Sequence, residues 1–193
     1  SVTDAFTITV TESSSSSTDT MTVTITVTGA DDSVDAGSDG TGSVTEDAST
    51  TTATGSVSAS DVDGDDSTFT YAIGTAAGTY GDLTMSGAAW TYTLNNADTD
   101  TDALDSGDSV TDAFTITVTE SSSSSTDTMT VTITVAGAAD TSVWAGTTTG
   151  SLTEDASTTT ASGALTITDA DGDDTPTITD VSSTAGANGY GNF

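Results

Sequence analysis

The sequence predicts an all-β chain made of tandem antiparallel β-sandwich repeats with a 108-residue period. Apolar and polar residues alternate in almost every segment between turn signals, Thr is the commonest residue, and a long stretch returns at a fixed offset. Alternation with a period of two puts one set of side chains on a buried face and the other in water. Thr, 48 of the 193 residues, suits the solvent-facing positions because its β-branch favours an extended backbone. Low hydrophobicity with high charge is the usual signature of disorder, but the 33% hydrophobic content here is regularly arranged, which argues for a packed core.

Repetition sets the organisation. Residues 1–27 return letter for letter at 109–135, and aligning 1–66 on 109–174 without gaps gives 48 identities in 66 positions. Periods above about 50 residues mean tandem whole domains rather than solenoid units. The expected division is therefore 1–29, the C-terminal strands of a preceding repeat; 30–42, a linker; 43–137, a complete β-sandwich repeat; 138–150, a second linker; and 151–193, the N-terminal half of the following repeat. On this reading the chain is a window on a longer array. The competing reading, half-repeats of neighbouring molecules completing each other head to tail, leaves the composite without the counterpart of residues 86–108, which include Trp90.

Within the complete repeat each strand has its own signal. Val57 and Ala59 form the first apolar pair, matched by Leu165 and Ile167 one period later. Phe69, Tyr71 and Ile73 follow, then Leu83 and Met85, then Trp90, Tyr92 and Leu94. The clearest strands carry Phe114, Ile116 and Val118, then Met129, Val131, Ile133 and Val135. Six or seven such strands suffice for a two-sheet sandwich of about 100 residues. Trp90 and the tyrosines read as core. Residues 95–108 break the alternation and read as a crossover loop with a short helical turn, Ala103 and Leu104 facing in, and with its acids Asp98, Asp100 and Asp102 solvated. The serines at 13–17 and 121–125 read as hairpin loops, either solvated turns or O-glycosylation sites.

Charge excludes most function classes. Thirty acids face no Lys, Arg or His, a formal charge of −30. Phosphate ligands, nucleic acid and anionic membrane surfaces all need cations to meet them, so none is expected as a partner. No apolar run approaches the roughly 18 residues of a spanning helix, so membrane insertion is not expected. Without His, Lys or Cys there is no Ser-His-Asp triad, thiolate nucleophile, Schiff base or nitrogen- or sulfur-ligated zinc, and no enzymatic activity is expected. A carboxylate-pair glycosidase ranks far behind, since no pair stands out. Carboxylates and hydroxyls suit hard cations.

Asp61, Asp63, Asp65 and Asp66, repeated as Asp169, Asp171, Asp173 and Asp174, place four acids within six residues. The spacing is not that of an EF-hand, which wants Gly at the sixth position and Glu at the twelfth. Alternating acids in a turning loop still converge oxygens for Ca2+, with Glu46 and Asp47, and by repetition Glu154 and Asp155, as companions from the domain edge. Like charges so close, with no cation in the chain, favour recruiting one from solution. The alternative is a solvated turn, tolerated where salt shortens the screening length. A saline environment is expected for the same reason.

The ordered blocks TEDAxTTATG, DxDGDD, AGTYGDLTM, WTYTLNN and ALxxGDSVTDAFTITV, closing on TVTITVTGA, resemble the VCBS repeat of very large bacterial surface and adhesin proteins, a family similar to cadherin-like and immunoglobulin-like sandwich domains. The resemblance covers residues 43–137 and both flanking partial repeats. It implies an extracellular, cell-surface array, a spacer or the body of a filament, adhesin or biofilm matrix, often stiffened by calcium. Relatives commonly end a repeat on an Asn-Asp-Ala-Pro-like joint. Here the joints read Ala30-Asp31-Asp32-Ser33 and Ala138-Ala139-Asp140-Thr141, the second with one carboxylate fewer, so Asp32 and Asp140 are the candidate joint ligands. The expected partners are neighbouring repeats of the same chain, and further copies by head-to-tail or lateral self-association into filaments. A second functional reading is a calcium-dependent module whose loops bind a carbohydrate or another surface.

Overall fold

A computed structural model of the chain describes residues 1–63, 68–172, 174–179 and 184–192. Eleven strands and no helix occur among the described residues, and no helix is long and apolar enough to cross a membrane. The N-terminal hairpin pairs β1 (Val2–Thr11) with β2 (Thr18–Val27). The complete repeat follows: β3 (Gly40–Thr45), β4 (Thr52–Ser56), β5 (Phe69–Ile73), β6 (Gly81–Ser86), β7 (Ala89–Leu94), β8 (Ser109–Glu120) and β9 (Thr126–Ala136). These form a four-stranded sheet in the order β3-β9-β8-β5 and a three-stranded sheet in the order β4-β7-β6. Beyond them β10 (Val143–Gly146) pairs with β11 (Leu165–Thr168).

Alternation does what the sequence requires of it. Along β8 and β9, Phe114, Ile116, Val118, Met129, Val131, Ile133 and Val135 are buried while the intervening Thr residues stay outside or half-buried. Against them the second sheet sets Leu83, Trp90, Tyr92 and Leu94, all buried. The Tyr92 and Phe114 rings meet tilted, centroids 5.9 Å apart. Trp90 lies on a floor of glycines: a Cβ on Gly42 would come 2.9 Å from its Cη2, and one on Gly55 2.7 Å from its Cε2.

One pairing departs from the antiparallel expectation. β3 runs parallel to β9, Gly40 beside Val131 and Thr45 beside Ala136. The chain therefore enters the sandwich at one end and leaves at the other. The opening of the repeat also differs from expectation. Val34 and Ala36, in the stretch expected to be a linker, are core residues, and Val57 and Ala59 lie just past β4 rather than within it. The segment is pinned by side chains of the β8–β9 hairpin: the Val34 amide donates to Ser125 Oγ and the Ala36 amide to Asp127 Oδ2, both at 3.0 Å. The Ala36 amide, together with the amide of Thr128, holds the Asp127 carboxyl below its usual range. Leu104 is buried as expected, though its loop makes turns rather than a helix.

Candidate metal centre

Because β3 parallels β9, the residue after β3 emerges where the chain leaves the repeat. Glu46 sits there, 4% exposed, its amide bonded to the Ala136 carbonyl and its Oε1 accepting the Ala138 amide at 2.8 Å. Asp47 turns away with φ +51° and accepts from Asn96 Nδ2. Two residues further along the joint, the Asp140 amide donates to Asp171 Oδ2 at 2.8 Å. Asp171 in turn donates its amide to Asp169 Oδ1 at 3.3 Å, while Ser142 Oγ donates to Asp169 Oδ2 at 2.7 Å. The Gly172 amide reaches back to the Ala103 carbonyl of the complete repeat. As a result one carboxylate oxygen each from Asp105, Asp171 and Asp174 lie within 4.8 Å of one another.

The electrostatics of this cluster are unfavourable without a counterion. Burial, against the lowering effect of the Ala138 amide, raises the Glu46 pKa, and the carboxylates of Asp47, Asp140 and Asp171 add to the rise. Asp140 is raised by desolvation and by Asp47, Asp102 and Asp171. Asp171 is 2% exposed and its Oδ1 is buried with no hydrogen bond. A buried carboxylate oxygen without a hydrogen bond, among other carboxylates, is a place where a hard cation would offset the desolvation and the like-charge repulsion. The donors are all oxygens, and oxygens 4.8 Å apart can share one ion at the roughly 2.3–2.6 Å distances of calcium. The residues present fit a hard divalent cation.

The other joint repeats the pattern. The Asp32 amide donates to Asp63 Oδ2 at 2.7 Å and the Asp63 amide to Asp61 Oδ1 at 2.7 Å, leaving Asp61 Oδ2 buried and without a hydrogen bond. Asp65, Asp66 and Asp173 lie outside the described residues. Glu154 and Asp155 are exposed, though Asp155 keeps the left-handed turn of Asp47 with φ +58°. The structure therefore brings Glu46 and Asp47 to Asp140 and Asp171 of the next repeat, not to Asp61 and Asp63 of their own.

Asp105 was not among the expected ligands, nor was Asp102 expected to bear on the joint, where its charge raises Asp140. Both lie in the acidic loop that reads as solvated, and that loop meets the joint through the Gly172 amide on the Ala103 carbonyl. Glu120 was missed as well. It is 1% exposed, accepts the hydroxyls of Ser123 and Ser125 on Oε2, and leaves Oε1 buried without a partner. Its position at a strand end before five serines gives no sequence sign of burial.

Residues 30–137 match the profile of the bacterial cadherin-like domain. Among solved structures PcdhgB3 EC1-4 is similar in fold, with 18% identity, TM-score 0.52, and coverage of 88% of this chain and 41% of that one. The chain thus spans about two fifths of that structure's length. Looser likenesses are to the endo-fucoidan hydrolase MfFcnA4 from glycoside hydrolase family 107 (17% identity, TM-score 0.35, 69% of this chain, 19% of that one) and to surface layer protein SbsC domains 4-9 (16% identity, TM-score 0.32, 100% of this chain, 26% of that one). No curated protein matches the sequence. With more than half its residues matched, and with the sandwich and acidic joints described above, this chain belongs to the bacterial cadherin-like domain family.

Proposed function

We propose that the chain is a non-catalytic structural segment of an extracellular bacterial repeat protein, a calcium-stiffened spacer or the body of a surface filament, adhesin or biofilm matrix. The observation that carries this reading is the convergence of Asp105, from one repeat, with Asp171 and Asp174, from the next. An ion held by both sides ties two domains that otherwise meet through a short joint. Glu46 and Asp140 serve the same point: one fastens the departing chain through the Ala138 amide, the other fastens the joint to the Asp171 turn. Calcium would supply the positive charge that this set of acids lacks, replacing mutual repulsion with shared coordination. The equivalent contacts around Asp32, Asp61 and Asp63 make the device repeat along the array. Extracellular fluid supplies calcium at the concentrations that such sites in extracellular modules need, about 10⁻⁴–10⁻³ M.

Thermal unfolding of the full chain in excess calcium, in chelator, and in sodium chloride of matched ionic strength tests this. Ligand that binds only the folded state stabilises it, by about 2.7 kcal/mol at a hundredfold excess over Kd. The expected result is a calcium-specific rise in Tm that Asp105→Asn reduces. An equal rise in sodium chloride would mean that the acids are a salt-adapted surface and not ligands.

A further inference from the structure

Alternation leaves the four-stranded sheet with a second face, turned away from the core and lined mostly by Thr. The longest strands, β8 and β9, set Thr115 beside Thr130, Thr117 beside Thr128 and Thr119 beside Thr126, every one of them exposed or half-buried. Successive rows lie about 6.6 Å apart along the strands, and the two members of a row about 4.8 Å apart across them. The result is a regular grid in which each node offers one hydroxyl and one methyl. No outward-facing residue of β3, β5, β8 or β9 is charged or aromatic, in a chain that carries thirty acids. The N-terminal hairpin repeats the rows in the same register, Thr7 beside Thr22 as Thr115 is beside Thr130.

Such a grid suits few partners. It has no aromatic platform for a sugar ring and no carboxylate or side-chain amide to read hydroxyls one by one, and it gives a charged ligand nothing to pair with. Neutral hydroxyls and methyls at two fixed spacings match another lattice of the same kind, and these spacings approach the repeats of water oxygens on the prism face of hexagonal ice. We propose that the threonine face of β8–β9, with its copy on β1–β2, is a binding surface for ice crystals. The hydroxyls take lattice positions of water, the methyls sit between them, and no charge holds a liquid-like hydration shell in place. Neighbouring strands turn by about 20–25°, so the flat match belongs to one strand pair, and repetition along the chain adds avidity. The face adds a surface partner to the structural role proposed above and does not draw on the acidic joints.

Ice grown slowly from a dilute solution of the full chain, with calcium present, is the probe. An ordinary solute is pushed into the remaining liquid. The chain is expected to be enriched in the ice several-fold over a Thr7→Glu/Thr115→Glu variant, and Thr20→Glu/Thr128→Glu, on the neighbouring strands, should lose the enrichment as well. A Thr54→Glu/Thr84→Glu variant carries the same added charge on the opposite sheet and should partition like the unmodified chain. All six positions are exposed, so folding should be undisturbed, which calorimetry checks. Exclusion of the unmodified chain from ice, equal loss of enrichment in the opposite-sheet variant, or retention on microcrystalline cellulose without enrichment in ice would each overturn the proposal.

Discussion

Asp112 is a buried carboxylate in a chain without Lys, Arg or His, and it is tolerable there because four donors converge on it. The amides of Thr79, Tyr80 and Gly81 and the Tyr92 hydroxyl lie 2.8–3.2 Å from its two oxygens. Burial first, then the Asp112 acceptor, pushes the Tyr92 phenol up, so the proton stays on Tyr92. Asp112→Asn replaces one acceptor by a donor that faces donors. The expected cost is about 2–3 kcal/mol, read as a shift of the denaturant midpoint at unchanged slope. Glu46 behaves in the opposite sense. Its raised pKa means that the folded state holds a proton more tightly than the unfolded chain, so in chelator the joint gains stability as pH falls into the carboxylate range and loses it as pH rises through the folded pKa. Glu46→Gln keeps an acceptor for the Ala138 amide and removes the charge. At neutral pH it should raise Tm in chelator, by about 2–4 °C for roughly 1 kcal/mol, and shrink the rise that calcium produces. Calorimetry with and without calcium reads both signs.

The elements with the strongest alternation were the most legible in the sequence. β5 to β9 coincide with the apolar sets read from it, because a half-buried antiparallel strand leaves a period-two record. The parallel β3 did not, since Gly40 and Gly42 carry no side chain with which to alternate. Gly42, like Gly55 in β4, answers instead to Trp90, whose indole lies where its side chain would be. Gly55→Ala would drive a methyl into the same ring. Overpacking of this kind costs about 1–3 kcal/mol, and Trp fluorescence should report the displaced indole along with the lower stability. Of the candidate site, the Asp-x-Asp turns were readable as acid clusters, but their partners were not. Glu46, Asp105 and Asp171 are brought together by the parallel strand and the joint, relations between distant segments that no local spacing encodes. The serine loops show the converse. Ser16 and Ser124 both adopt positive φ, and Glu12 and Glu120 both accept from a serine three residues on, although one loop packs against a domain and the other does not. Their conformation is written locally.

For the whole molecule the dominant quantity is thirty negative charges with no basic side chain to balance them. Self-repulsion opposes the compact state, and salt relieves it as the screening length falls from about 10 Å at 0.1 M to about 3 Å at 1 M. In chelator, Tm should therefore climb with sodium chloride across that range, and the calcium-specific part of the stabilisation should ride on top of it. Scanning calorimetry at several salt concentrations separates the two contributions. The parallel pairing of β3 and β9 adds a mechanical consequence. The strand near the start of the repeat and the strand at its end lie side by side, Gly40 to Thr45 against Val131 to Ala136, with the chain approaching from one pole and departing from the other. A pull on the chain at either end of the repeat drags β3 and β9 in opposite directions along their shared ladder, so its hydrogen bonds take the load together in shear instead of opening one after another. Forced rupture is governed by the unfolding barrier, not by the equilibrium stability. A domain of modest core can on these terms resist force well beyond what its equilibrium stability implies.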